Sequence, residues 1–88
     1  MHKQAMKELL TVAASHQVPL QHTVALICKC RGEKIGDLAS RCGFHRNSLY
    51  KALSGEVTPS AELVAGVTGE LGVNPWEYRP EKRINPED

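Results

Sequence analysis

The stretch Ile35–Ser54, IGDLASRCGFHRNSLYKALS, limits what this chain can fold into more than any other. Leu38, Ala39 and Cys42 fall on one helical face at i, i+1 and i+4, and Leu49, Ala52 and Leu53 fall on a second at i, i+3 and i+4. Gly43-Phe44-His45 lies between them and is too short for a wandering loop, so the spacing predicts two helices crossing at a steep angle. Gly43 suits that corner because glycine takes positive φ without a Cβ clash. Phe44 follows as an apolar plug, and the small Ala39 leaves room where the second helix crosses the first. These features predict a helix-turn-helix.

The rest of the chain is read around that motif. Its 88 residues suffice for one small domain, in which several helices have to share a single core, so the predicted class is all-α. No apolar run is long enough to span a bilayer, and the opening MHKQAMKELL lacks the uninterrupted apolar core of a secretory signal. A cytoplasmic location with no membrane partner is the expectation. Three cysteines, an odd number, in such a chain point to reduced thiols rather than a disulfide scaffold.

Charge is distributed unevenly behind a formal net value of +1. Between Thr23 and Lys51, Lys29, Arg31, Lys34, Arg41, Arg46 and Lys51 stand against Glu33 and Asp37, a net +4, while Ala52–Asp88 carries −4. Solvated surfaces often differ in charge by chance. Here the positive segment coincides with the motif, as expected of one face built for phosphate.

In chain order, His2–His16 reads as an amphipathic helix with Met6, Leu9, Leu10 and Ala13 on one side and Lys3, Lys7 and Glu8 on the other. Pro19 is expected as the first residue of a second helix running to about Arg31, with Val24, Ile27 and Cys28 on its inner stripe and Gly32 as its stop. After the motif, Thr58-Pro59 is expected to cap and start the next helix, with Leu63, Val64, Val67 and Leu71 apolar and Gly72 closing it. Gly66 and Gly69 inside that helix each cost about 1 kcal/mol relative to alanine, which predicts a close neighbour. A short last helix begins at Asn74-Pro75 and carries Trp76 and Tyr78. The resulting division is an N-terminal helix over 1–18, a helix-turn-helix domain over 19–79 and a disordered tail over 80–88.

This all-α arrangement, a five-helix domain with an additional N-terminal helix, resembles the lambda-repressor-like DNA-binding domains, whose apolar and glycine positions are matched in order by Leu38, Ala39, Cys42, Gly43, Phe44, Leu49 and Ala52. It is most similar to the Ner-like regulators of Mu-type phages. That likeness rests on Lys29-Cys30-Arg31-Gly32, on Gly43-Phe44 with Ser48-Leu49 and Ala52-Leu53, and on Leu71-Gly72-Val73-Asn74-Pro75 followed by Pro80, over about Gln21–Arg83. Ile35 stands where many lambda-like repressors place a DNA-contacting glutamine, and the Ner-like pattern is aliphatic there. Tyr78-Arg79-Pro80 replaces an Ile-Trp-Pro run of that pattern. The resemblance implies a small repressor that binds a double-stranded operator as a homodimer, paired on DNA and weakly or not at all in free solution. Lambda-like domains commonly pair near the last helix, and the Gly66/Gly69 face of the helix before it is a second place for a partner to approach. The N-terminal stripe has a simpler use, which is to cover the core of its own subunit. Antitoxins that share this fold give the alternative: a module whose N-terminal helix or acidic tail grips a partner protein while it regulates its own promoter.

On the second motif helix, Arg46, Asn47, Tyr50, Lys51 and Ser54 lie opposite Leu49 and Leu53. Arginine pairs in bidentate fashion with guanine and asparagine with adenine, and both residues fall in the first turn, which reaches base edges. Tyr50 and Lys51 are placed for a thymine methyl or a phosphate. Ser48 and His45 complete the candidate DNA-binding set on this helix, with His45 where a serine or threonine usually caps. Lys34 and Arg41, with Arg31, are candidate phosphate clamps or plain surface charges. Cys28, Cys30, Cys42 and His45 resemble a zinc pattern, but Cys28 and Cys30 stand about 200° apart on one helix, so buried small apolar groups account for them better. Ser40, Ser48, His45 and Asp37 are explained by the helices and no phosphate-binding glycine loop occurs. The expectation is therefore no enzyme, no cofactor and no metal.

Overall fold

A computed structural model describes residues 2–79. Among them the backbone forms helices and no strands: α1 (Lys3–Ser15), α2 (Leu20–Cys30), α3 (Ile35–Arg41), α4 (Arg46–Ser54), α5 (Ala61–Leu71) and a 3-10 turn (Pro75–Tyr78). The tail expected to be disordered, 80–88, lies outside the described residues.

Each helix boundary has a local cause. α1 ends with Gln17 at φ 61°, and the amide of Val18 reaches back to the carbonyl of Ala13 at 2.9 Å. This closes the C-terminus in the manner usually left to glycine, at some steric cost for a residue with a Cβ. α2 closes the same way through Gly32 at φ 79°, with the amide of Glu33 on the carbonyl of Cys28 at 3.0 Å. Pro19 is not the first helical residue. Its ψ of 140° is extended while its carbonyl accepts from the amides of His22 and Thr23, so it precedes α2 as the cap. The start of α5 also differs from the expectation at Thr58-Pro59. Ser60 caps it, with Oγ accepting from the amide of Leu63 at 3.1 Å, and Thr58-Pro59 forms the lead-in.

The last helix is tighter than an α-helix. The amide of Glu77 bonds the carbonyl of Asn74 at 3.2 Å, three residues back, and Asn74 Oδ1 accepts from the amide of Trp76 at 2.9 Å. The indole Nε1 of Trp76 donates to the carbonyl of Ala52 at 3.1 Å, serving one of the carbonyls that the end of α4 leaves without a helical partner.

One core joins all of these elements. Leu10, Val24, Ile27, Leu38, Leu49, Leu53 and Val67 are fully buried, and Met6 and Leu10 of α1 belong to the same cluster as Leu38 of α3 and Val67 of α5. α1 packs on α2 and on the 3-10 turn, so the stripe of Met6, Leu10 and Ala13 is spent inside its own subunit. α5 approaches α3 closely enough that a Cβ added at Gly66 would lie 3.2 Å from Cys42 Cβ, while one at Gly69 would meet open space. The close neighbour expected of both glycines exists for Gly66 alone.

Candidate nucleic-acid interface

α3 and α4 are joined through Gly43, at φ 83°, and the half-buried Phe44 packs against the core just after it. His45 begins α4. Its Nδ1 accepts from the amide of Asn47 at 3.1 Å, so the imidazole does the work of the usual serine or threonine cap. With Nδ1 accepting, the ring's remaining Nε2–H is free to donate elsewhere.

Leu49, Ala52 and Leu53 are buried, which turns the rest of α4 outward. Arg46, Asn47, Ser48, Tyr50, Lys51 and Ser54 are all exposed. Among the described residues, the side chains of Arg46, Asn47, Tyr50 and Lys51 make no hydrogen bond or ion pair within the chain. Tyr50 remains 41 % exposed although it is aromatic. Ser48 and Lys51 also border a shallow groove of about 270 Å³ shared with Val57 and Pro59.

α3 contributes at its N-terminal end. Lys34 precedes the helix, its amide donating to Asp37 Oδ2 at 2.9 Å, and its exposed ammonium forms no ion pair among the described residues. Gly36 lies beneath Arg46: a Cβ there would sit 3.7 Å from Arg46 Cδ. Sequence reasoning did not find this contact. The glycine was its only signal, a small residue where the aliphatic part of an arginine comes close.

Arg41 stands apart from the other candidates. Its Nε donates to Glu70 Oε1 at 2.8 Å and its Nη2 to Glu33 Oε2 at 3.1 Å, with Nη1 also on Glu33. Arg31 joins the cluster, donating to the carbonyl of Glu70 at 3.3 Å and lying 3.8 Å from Glu33. The hydrogen bond from Arg41 lowers the pKa of Glu33, and the two carboxylates raise that of Arg41. The planar guanidinium thus ties the α2–α3 connection to α5, with its charge already paired inside the chain. Of the six cations between Thr23 and Lys51, this leaves Lys29, Lys34, Arg46 and Lys51 without an ion-pair partner among the described residues.

The cysteines do not converge. Cys28 is buried, Cys30 exposed and Cys42 half-buried, so Cys30 departs from the expectation of burial. Burial, more than the nearby Glu33, pushes the Cys28 thiol up to about 11. Among the described residues no three His, Cys, Asp or Glu side chains come together as metal ligands do, and no helix is long and apolar enough to cross a membrane.

Comparison with models of known families, with curated proteins and with solved structures gives no match to this chain. A functional reading therefore rests on the geometry of α3 and α4.

Proposed function

We propose that this protein is a sequence-specific DNA-binding transcriptional regulator, a phage-type repressor in which α3 and α4 act as a helix-turn-helix of the lambda-repressor-like, Ner-like kind. The observation that carries the reading is the outward face of α4, where Arg46, Asn47, Tyr50 and Lys51 are exposed and their side chains make no hydrogen bond or ion pair among the described residues.

In this reading α4 lies in the major groove. Arg46 takes guanine O6 and N7 while Asn47 takes adenine N6 and N7, the two pairings in which these side chains match a base edge with two hydrogen bonds. Gly36 supports the stem of Arg46 from below. Lys34 and Lys51 meet phosphates, with Ser48 and the Nε2–H of His45 beside them, and Tyr50 offers its ring edge to a thymine methyl. One such helix covers too few base pairs to select a site in a genome, so two copies read an operator together.

A competition mobility shift tests the proposal, using DNA from upstream of the protein's own gene against random duplex of equal length. A retained complex that random duplex fails to displace supports the reading. Equal displacement by both contradicts it, and co-purification with a small basic protein would then favour the antitoxin-like alternative.

A further inference from the structure

Among the described residues, the large apolar side chains left exposed are Val12, Leu26, Tyr50 and Val57. Tyr50 belongs to the polar face of α4, and Val57 to the loop that follows it. Val12 and Leu26, 54 % and 47 % exposed, line a single groove of about 360 Å³ between α1 and α2, together with Leu9, Val18, His16 and His22. Among the described residues no lysine, arginine, aspartate or glutamate lines this groove, and none of its walls comes from α3, α4 or α5. An occupant would therefore cover apolar surface and leave the outward face of α4 open.

The outer stripe of α1 carries a complementarity that bears on the occupant. Glu8 and Val12 of α1 and His16, the residue that caps its C-terminus, are exposed and spaced i, i+4 and i+8, so they follow one another along one side. Val12 borders both the apolar groove and the shallower one that Lys7 and Glu8 line. The stripe is self-complementary when reversed. With a second α1 laid antiparallel about an axis at Val12, Val12 meets its own counterpart and Glu8 meets His16 of the second copy, twice over. The carboxylate then accepts from an imidazole N–H on each side of an apolar centre.

We infer that the α1–α2 groove is the seat of a second copy of this chain, packed α1 against α1 in antiparallel fashion about Val12. The inference rests on the paired DNA binding proposed above and assigns the surface that makes the pair. Of the surfaces expected for pairing, Met6, Leu10 and Ala13 are buried in the subunit itself, Gly66 faces Cys42 and the Trp76 indole is bound to Ala52, while Leu9 of the N-terminal stripe lines this groove.

Sedimentation of the full chain without DNA, over concentrations up to its solubility limit, tests this. The wild type should self-associate to a dimer. V12K, which places two cations at the axis on an already exposed position, should weaken the dimer by roughly tenfold or more. E8K and H16E should each weaken it, and the E8K/H16E double variant should restore it. Glu8 and His16 of one copy are about 12 Å apart along the helix, so that rescue reads a contact between copies. Circular dichroism of every variant verifies folding. A wild type that stays monomeric throughout, or a dimer indifferent to V12K with no rescue by the double variant, overturns the interface. Binding of V12K to a single half-site keeps the two proposals distinguishable: a protein that dimerises as described yet binds no DNA retains this interface and loses the DNA-binding reading.

Discussion

The indole of Trp76 holds the carbonyl of Ala52 at 3.1 Å, tying the last turn of α4 to the 3-10 turn. Ala52 is buried, so water does not readily replace that donor. Trp76→Phe keeps an aromatic ring against the core but leaves the carbonyl unpaired. It is predicted to cost about 1–3 kcal/mol of stability, the desolvation penalty of an orphaned backbone group. Urea unfolding followed by circular dichroism measures it, and an unchanged midpoint would mean that the bond contributes nothing.

The two glycines of α5 should respond oppositely to alanine. Gly69→Ala meets open space and gains helix propensity, so stability should rise by about 0.5–1 kcal/mol. Gly66→Ala sets a Cβ 3.2 Å from Cys42 Cβ, an atom fixed to the backbone of α3. The strain of separating the two helices should cancel the propensity gain and lower stability below wild type. Equal gains in the two variants would show that α3 and α5 do not approach as closely as described.

Much of this architecture was legible in the sequence, because its signals are local. The i, i+3, i+4 spacing of Leu49, Ala52 and Leu53 gives the buried face of α4, and that face alone turns Arg46, Asn47, Tyr50 and Lys51 outward. Gly43 marks the corner and Asn74-Pro75 the start of the 3-10 turn. What escaped was set by distant partners or by choices between adjacent residues. The ion pairs of Arg41 were not legible because its second carboxylate, Glu70, lies 29 positions away. Thr58 and Ser60 are both good caps, and only the path of the chain selects Ser60. Gln17 in a left-handed conformation gave no sign in the sequence, since glycine is the residue that announces such a turn.

The pairing of Glu33 with Arg41 makes stability depend on acid. Hydrogen bonding from Arg41 holds the Glu33 carboxyl below its ordinary 4.5 in the folded chain. The unfolded chain therefore binds the proton more readily, so the contribution is full above 4.5 and is lost as pH falls through the lower folded value. Glu33→Gln should be less stable than wild type at neutral pH and should lose less stability on acidification. Thermal unfolding across an acid series measures this, and parallel curves for the two proteins would contradict it.

The ion pairs of Arg41 with Glu33 and Glu70 separate it from the lysines. Lys34→Ala and Lys51→Ala should each reduce the slope of log affinity against log salt by about one, weakening all DNA sequences alike. Arg41→Ala should leave the slope unchanged in protein that remains folded, because its charge is already balanced by Glu33 and Glu70. A slope that falls for Arg41→Ala and not for the lysines would reverse the assignment.

Footprinting on the DNA upstream of the protein's own gene, with the wild type beside Arg46→Ala and Asn47→Ala, tests the central claim most directly. The account predicts protection of two half-sites about one helical turn apart, ~34 Å. Each substitution should weaken that protection by roughly 1–3 kcal/mol and relax the preference at one base pair of each half-site. Wild-type protein that protects no discrete site, or variants that protect operator and random DNA as the wild type does, would contradict the reading of α4 as the helix that recognises DNA.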